Sequence, residues 1–116
     1  MGLDMYMYAV ENSDIRDFEE IPNKGDYEIN YWRKFNNLHG FFEDLGCENC
    51  RFFQVTEDML DQLFDKLKNK QLHPTTGFFY GQQNEITEDE EEELFNDIKH
   101  WTLLLQTCNL YYFAWY

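Results

Sequence analysis

The chain has 116 residues, 43% of them apolar and 19% aromatic, which is long enough for one domain with a real core and too apolar for disorder. Its 9 lysines and arginines stand against 23 aspartates and glutamates, and the net charge of -14 opposes binding to nucleic acid or to an anionic membrane surface. Because the sequence has neither an apolar run near the roughly 20 residues of a membrane span nor a signal-peptide pattern, it predicts a single acidic cytoplasmic domain over residues 1–116.

The first third of the chain predicts a strand, a loop and a helix. From Leu3 to Val10, Leu, Met, Met and Ala alternate with Asp, Tyr, Tyr and Val, which is the period of a strand. The polar stretch Glu11–Asp26 is predicted as a loop. Between Glu28 and Leu45, large apolar residues recur at steps of three and four, and Gly46 follows, so a single helix is predicted over that segment.

Two further helices are predicted from their N-terminal caps. Thr56 precedes a stripe of Leu and Phe at helical spacing, and Thr87 with Glu90 forms a capping box that opens a third helix. Three further strands are predicted at Arg51–Val55, within Leu72–Tyr80, and at Leu110–Tyr116. The expected fold is therefore α+β, a small and mainly antiparallel sheet of about four short strands with three helices packed on one face.

Metal and catalytic motifs are sparse in this sequence. Cys47 and Cys50 have the spacing of a zinc knuckle or of a redox pair, but no second close pair accompanies them, so ordinary thiols are favoured. The acidic run near residue 90 lacks the alternating ligands and the glycine of a calcium loop. No phosphate loop, nucleophile elbow or metalloprotease motif is present, and we therefore predict a protein without cofactor, metal or enzymatic activity.

The predicted helix around residue 35 carries the most informative pattern. If it is helical, Trp32, Asn36 and His39 fall at i, i+4 and i+7 and share one face. An aromatic ring, an amide and an imidazole on one face can stack on a ring ligand and form hydrogen bonds with it, while Arg33 and Lys34 reach anionic groups. The alternative is that Trp32 and His39 belong to the core and that the two cations pair with nearby acids.

The other charged feature is a run of six carboxylates in the first two turns of the third predicted helix, Glu88, Asp89, Glu90, Glu91, Glu92 and Glu93. The positive end of the helix dipole stabilises acids in this position, so the run has a local structural explanation. The acidic surface has two further interpretations. It can mimic nucleic acid, or it can merely keep an aromatic domain in solution.

Taken together, several segments resemble a family of small bacteriophage and prophage proteins of unassigned function. The resemblance rests on the start Met-Gly-Leu-Asp-Met-Tyr, on the pattern Tyr-Trp-Arg-Lys-x-Asn-x-x-His from Tyr31, on Gly77–Gly81, and on the aromatic end Tyr111–Tyr116. The chain departs from the family pattern where a Trp usually precedes the Phe that ends the helix motif, since it has Gly40-Phe41-Phe42 there. The resemblance implies a phage accessory protein of the kind that counters host defence, by sequestering a signalling nucleotide or by occluding a host protein.

The leading functional hypothesis is a non-enzymatic protein that sequesters a small, nucleotide-like ligand. The predicted ligand-binding residues are Tyr31, Trp32, Arg33, Lys34, Asn36, His39, Phe78, Phe79 and Tyr80. Trp32 and Tyr80 would stack on the ligand, and Arg33 would pair with a phosphate. The alternative is an inhibitor whose carboxylates Glu88–Glu93 occupy a basic groove of a host defence protein. Separately, the aromatic strand that ends at Tyr116 could be the interface of a homo-oligomer.

Overall fold

A computed structural model describes residues 3–11, 27–33, 35–72 and 87–115. Within these ranges the chain forms four strands, β1 (Asp4–Glu11), β2 (Glu28–Arg33), β3 (Phe53–Val55) and β4 (Cys108–Trp115). The helices of the same ranges are α1 (Asn36–Asp44), α2 (Glu57–Lys68) and α3 (Glu88–Leu104). The predicted α+β fold is confirmed.

The described strands form one antiparallel sheet in the order β2-β1-β4-β3. β1 and β4 make the long central pair, from Asp4 opposite Trp115 to Glu11 opposite Cys108. β2 pairs with the other edge of β1, with a register irregularity between Met7 and Tyr8. The first and last described strands are therefore neighbours at the centre of the sheet.

The core lies between one face of this sheet and the three helices. Met5 and Met7 of β1 face it together with Tyr112 of β4, and all three side chains are fully buried. The helices contribute the buried side chains Leu38, Phe41, Phe42, Leu60, Leu63, Leu67, Leu94, Ile98 and Trp101. Since these helical side chains join a single cluster with that face, the predicted packing of the helices on one side of the sheet is confirmed.

Each helix begins or ends where local chemistry requires it. The Thr56 side chain accepts a hydrogen bond from Met59 N, and Thr87 forms a reciprocal capping box with Glu90. After α1, Gly46 adopts φ 111° and Cys47 N donates to Phe42 O at 3.0 Å, which closes a Schellman-type end. The positive φ is why a glycine serves there.

The single helix predicted over Glu28–Leu45 is wrong in its first third. Residues 28–33 form strand β2, and α1 begins only at Asn36. Ile29, Tyr31 and Trp32 suit a strand as well as a helix, and the free edge of β1 offers this segment a ladder of backbone hydrogen bonds. Tertiary pairing thus overrides the apparent helical spacing.

The remaining predicted elements agree in type where the structure describes them. The strands predicted at Leu3–Val10, Arg51–Val55 and Leu110–Tyr116 appear as β1, β3 and β4 with shifted ends. The predicted loop and the strand predicted within Leu72–Tyr80 lie almost wholly outside the described residues. In the described part of the chain, no helix combines the length and the apolarity needed to cross a membrane.

Candidate functional site

The sheet face that points away from the helices carries a continuous set of aromatic side chains. We call it the aromatic face, and its members are Tyr6, Tyr8, Tyr31, Phe52, Tyr111, Phe113 and Trp115. The register explains the set, because residues directly opposite each other in antiparallel strands share a face. Tyr6 lies between Tyr31 on β2 and Phe113 on β4, and Tyr8 lies opposite Tyr111.

The rings of the aromatic face contact one another along and across the strands. The ring centroid of Tyr6 lies 5.1 Å from that of Tyr31 and 6.3 Å from that of Phe113. Phe52 closes the chain of contacts, at 4.7 Å from Phe113 and 5.9 Å from Tyr8. These separations are typical of favourable aromatic pairs, so the inner part of the face forms a second small apolar cluster.

One end of the aromatic face is accessible. Tyr31 is 50% exposed and Trp115 is 49% exposed, and the register places Asp4 of β1 directly opposite both Trp115 and Arg33. This accessible end therefore combines two open rings with a carboxylate and a guanidinium on three adjacent strands. We call these four residues, Asp4, Tyr31, Arg33 and Trp115, the open end.

Within the open end, Asp4 and Tyr31 are already in contact. The Tyr31 hydroxyl donates a hydrogen bond to Asp4 Oδ1 at 2.7 Å. This hydrogen bond to the carboxylate raises the pKa of the Tyr31 hydroxyl, and the negative charge of Asp4 acts in the same direction. Tyr31 therefore stays a neutral hydrogen-bond donor at physiological pH, and its bond orients the carboxylate beside the ring.

The groups of the open end can contact a ligand in three ways. Two exposed rings can stack on a flat ligand, Asp4 can accept hydrogen bonds from N–H or O–H groups, and Arg33 can pair with an anion. The exposed Cys50 lies beside this end, because its backbone N–H donates to the carbonyl of Ala114, the neighbour of Trp115, at 2.9 Å.

The predicted ligand-binding residues separate in the structure. Tyr31 and Arg33 lie on the aromatic face, whereas Trp32 points to the core side, where its ring meets that of Trp101 edge-on at 5.8 Å. The prediction of a common helical face for Trp32, Asn36 and His39 is wrong, because Trp32 belongs to a strand. Alternation along β2 sends Trp32 and Arg33 to opposite faces.

Asn36 and His39 are buried in α1. His39 Nδ1 and the Tyr112 hydroxyl share a hydrogen bond of 2.8 Å, and His39 Nε2 lies 3.4 Å from Glu43 Oε2. Burial lowers the pKa of His39, and the Glu43 carboxylate opposes that shift only in part. The imidazole thus links helix and sheet inside the core. This agrees with the alternative that His39 is a core residue rather than a ligand-binding one.

Four predicted site residues, Lys34, Phe78, Phe79 and Tyr80, lie outside the described residues. Their role in ligand binding stays a prediction. Before that segment the described chain ends at Leu72, whose carbonyl accepts a hydrogen bond from Asn37 Nδ2 at 3.4 Å.

The acidic run occupies the start of α3 as predicted. Two of its members have structural partners, since Glu90 completes the capping box and Glu91 pairs with Lys70 at 2.9 Å. Glu88, Asp89, Glu92 and Glu93 are exposed. The run therefore divides into a part that builds the helix end and a part that faces solvent.

Cys47 and Cys50 gather no further metal ligands among the residues that the structure describes. Cys47 is buried, and burial raises the pKa of its thiol to about 12, while Cys50 is exposed. Among the described residues, no group of three or more His, Cys, Asp or Glu side chains is placed to hold a metal ion.

Sequence reasoning found Tyr31 and Arg33 but missed Asp4 and Trp115 of the open end and most of the aromatic face. The sequence contains part of the information needed to find this face. Asp4, Tyr6 and Tyr8 alternate with the core residues of β1, and Tyr111, Phe113 and Trp115 alternate with the core residues of β4. Alternation shows that two faces exist, but the grouping of Asp4 with Trp115 depends on which strands pair.

In comparisons with known proteins, the chain matches no family model, no curated protein and no solved structure. The resemblance to phage and prophage proteins consequently stays a prediction.

Proposed function

We propose that this protein is a non-enzymatic binding protein that takes a small, nucleotide-like ligand on the open end of its aromatic face. The observation that carries the proposal is the placement of two half-exposed rings, Tyr31 and Trp115, on either side of Asp4. A face that served packing alone would bury its largest rings, because their exposure forfeits apolar contact.

Each group of the open end has a role in this proposal. Tyr31 and Trp115 stack on the flat ring of the ligand, and Asp4 accepts hydrogen bonds from its N–H edge. Arg33 pairs with its phosphate. The net charge of -14 repels anions, so Arg33 has to supply the local attraction and the stacking has to supply most of the affinity.

The resemblance to phage and prophage proteins suggests a setting for this activity. Sequestering a signalling nucleotide is one way in which a phage accessory protein counters host defence, and it requires binding without turnover. The proposal shares Tyr31 and Arg33 with the site predicted from the sequence and exchanges the buried Asn36 and His39 for Asp4 and Trp115.

Isothermal titration calorimetry with mononucleotides and cyclic dinucleotides tests the proposal. Tyr31→Ala and Trp115→Ala should each weaken binding by about 1–3 kcal/mol, the usual contribution of one stacked ring. Leu103→Ala is the matched control, because Leu103 is also exposed but lies on α3, on the other side of the sheet. Circular dichroism verifies that each variant is folded.

Two results would contradict the proposal. Failure of the unmodified protein to bind any nucleotide would exclude this ligand class, and unchanged affinity in both ring variants would exclude the open end. Arg33→Gln separates the roles further, since it should weaken phosphorylated ligands and leave the corresponding nucleosides nearly unaffected.

A second candidate function is an acidic inhibitor that binds a basic groove of a host defence protein. It is favoured by the four exposed carboxylates of α3, which the capping box and the Lys70 ion pair leave facing solvent. Such binding should weaken steeply with salt, because its attraction is between exposed charges.

Neutralising the exposed carboxylates of α3 tests this second function. A variant with Glu88, Glu92 and Glu93 changed to Gln and Asp89 to Asn should lose capture of a host protein at low salt. The matched control neutralises four exposed acids elsewhere, Asp44, Glu48, Glu57 and Asp65, and so carries the same net charge. Equal loss in both variants would assign the capture to overall charge rather than to α3.

A further inference from the structure

A groove of about 410 Å³ lies between α2 and α3. Its lining residues are Asp61, Phe64, Ile98, Lys99, Thr102 and Leu103. Leu60 and Leu63 of α2 and Leu94 of α3 point into the core. The groove therefore opens on the outer side of the helical layer, away from the aromatic face.

The groove is apolar at its centre and has an exposed apolar side chain beside it. Phe64 and Phe95 meet edge-on at 5.3 Å and join the two helices there. Leu103 is 64% exposed, the highest value among the large hydrophobic residues that the structure describes. A single exposed leucine is ordinary, but an exposed leucine next to an apolar groove forms a contact patch.

The two walls of the groove carry opposite charges. Asp61 lies on α2 and Lys99 on α3, both are exposed, and neither takes part in the ion pairs found among the described residues. In a twofold symmetric interface the same patch of both copies is in contact. Asp61 of each copy can then pair with Lys99 of the other copy, which gives two equivalent ion pairs. A patch with one acid wall and one basic wall is complementary to itself.

We propose that the occupant of this groove is a second copy of this chain, docked groove to groove. Leu103 of each copy enters the groove of the other, and two intermolecular pairs between Asp61 and Lys99 set the register. The same patch offers a partner of uniform charge one favourable wall and one unfavourable wall, which is why a second copy fits it better than a basic helix of another protein.

This dimer leaves the open end of each copy accessible, since the groove and the aromatic face lie on opposite sides of the molecule. It does not depend on the proposed ligand. The net charge of -14 on each chain opposes association, so we expect salt to strengthen the dimer by screening that repulsion. Capture of a basic host protein would respond to salt in the opposite direction.

Sedimentation equilibrium of the intact protein and of three variants tests the proposal. The unmodified chain should dimerise reversibly, and Leu103→Asp should abolish the dimer because it places a charge in the apolar groove. Asp61→Lys and Lys99→Glu should each weaken the dimer by about tenfold or more, since each turns both pairs into like charges. Asp61→Lys also lowers the net negative charge, so an effect of overall charge alone would strengthen that dimer instead.

Mixing the two charge variants gives the decisive result. In the mixed dimer, Lys at position 61 faces Glu at position 99, and Asp61 faces Lys99, so both pairs are attractive again. An equal mixture should therefore restore a dimer that neither variant forms alone. A monomeric unmodified protein at all concentrations and salt levels would overturn the proposal, as would a dimer that all three variants retain or a mixture that stays dissociated.

Discussion

His39 shows how one buried residue ties the helical layer to the sheet. It lies on α1, reaches Tyr112 of β4 at 2.8 Å, and stays neutral because burial lowers its pKa. Tyr112 in turn stacks on Phe42 with ring centroids 4.2 Å apart. The polar pair is thus enclosed by apolar contacts, and charging the imidazole would place a cation in the core.

The lowered pKa of His39 predicts acid sensitivity. In the unfolded chain His39 gains a proton near its ordinary pKa of 6.5, whereas in the folded chain it does so only at lower pH. The unfolded state therefore binds more protons in that window, and the contribution of His39 to the free energy of unfolding is present above pH 6.5 and is lost as the pH falls toward the folded pKa. The loss approaches about 1.4 kcal/mol per pH unit.

Urea unfolding of the unmodified protein and of His39→Gln between neutral and mildly acidic pH measures this contribution. The comparison removes the acids common to both proteins, so only the difference between the two curves reports on His39. We expect the unmodified protein to lose stability relative to His39→Gln as the pH drops below 6.5. Parallel curves would mean that His39 titrates alike in the folded and unfolded states.

At the scale of elements, α3 depends on its first turn. Thr87 and Glu90 exchange hydrogen bonds with each other's backbone at 3.2 Å and 3.1 Å, and the acids of the same turn interact favourably with the helix dipole. This end matters because α3 carries Trp101, whose indole nitrogen donates to Asn30 Oδ1 on β2 at 2.8 Å. A frayed α3 would loosen the edge strand as well.

Removing the cap of α3 should be measurable. Thr87→Ala should lower the free energy of unfolding by about 1 kcal/mol, because the backbone N–H of Glu90 loses its acceptor, the Thr87 hydroxyl. Thr102→Ala on the same helix is the matched control, since its hydroxyl donates to the Ile98 carbonyl one turn earlier and caps no helix end. Thermal or urea unfolding gives both values, and a Thr87→Ala variant no less stable than Thr102→Ala would contradict this role.

The elements also mark where prediction from the sequence stops. α2 and α3 could be predicted because their caps and apolar stripes are local. β1 could be predicted from its local alternation, and β4 from its aromatic composition. β2 could not, since residues 28–33 fit a helical spacing and become a strand only through pairing with β1. The open end was out of reach for the same reason, because Asp4, Tyr31 and Trp115 meet only once three strands are in register.

The whole molecule carries a large excess of negative charge, with 23 aspartates and glutamates against 9 lysines and arginines. The net charge of -14 lies within a compact domain with a radius of gyration of 13.9 Å, so like charges are crowded together on folding. Only a few of the acids have described cationic partners, among them Glu48 with Arg51 and Glu91 with Lys70. Folding therefore proceeds against electrostatic repulsion.

This repulsion predicts that added salt stabilises the fold. Raising the ionic strength shortens the Debye length from about 30 Å at 0.01 M to about 3 Å at 1 M, so stability against urea should rise with sodium chloride. The two neutralised variants described above, one on α3 and one elsewhere, should both respond less. A stability that falls with salt would show that attractive pairs dominate over the net charge.

The position of β4 has a consequence for synthesis in the cell. A ribosome delivers β1, β2, β3 and the three described helices before it delivers residues 108–115, yet those residues form the strand that joins β1 to β3. Until they emerge, β1 and β3 have no common partner, and the inner edge of β1 is open to strands of other chains. The nascent domain therefore cannot complete its sheet until β4 emerges, and its dependence on chaperones should be greatest in the interval just before β4 leaves the ribosome.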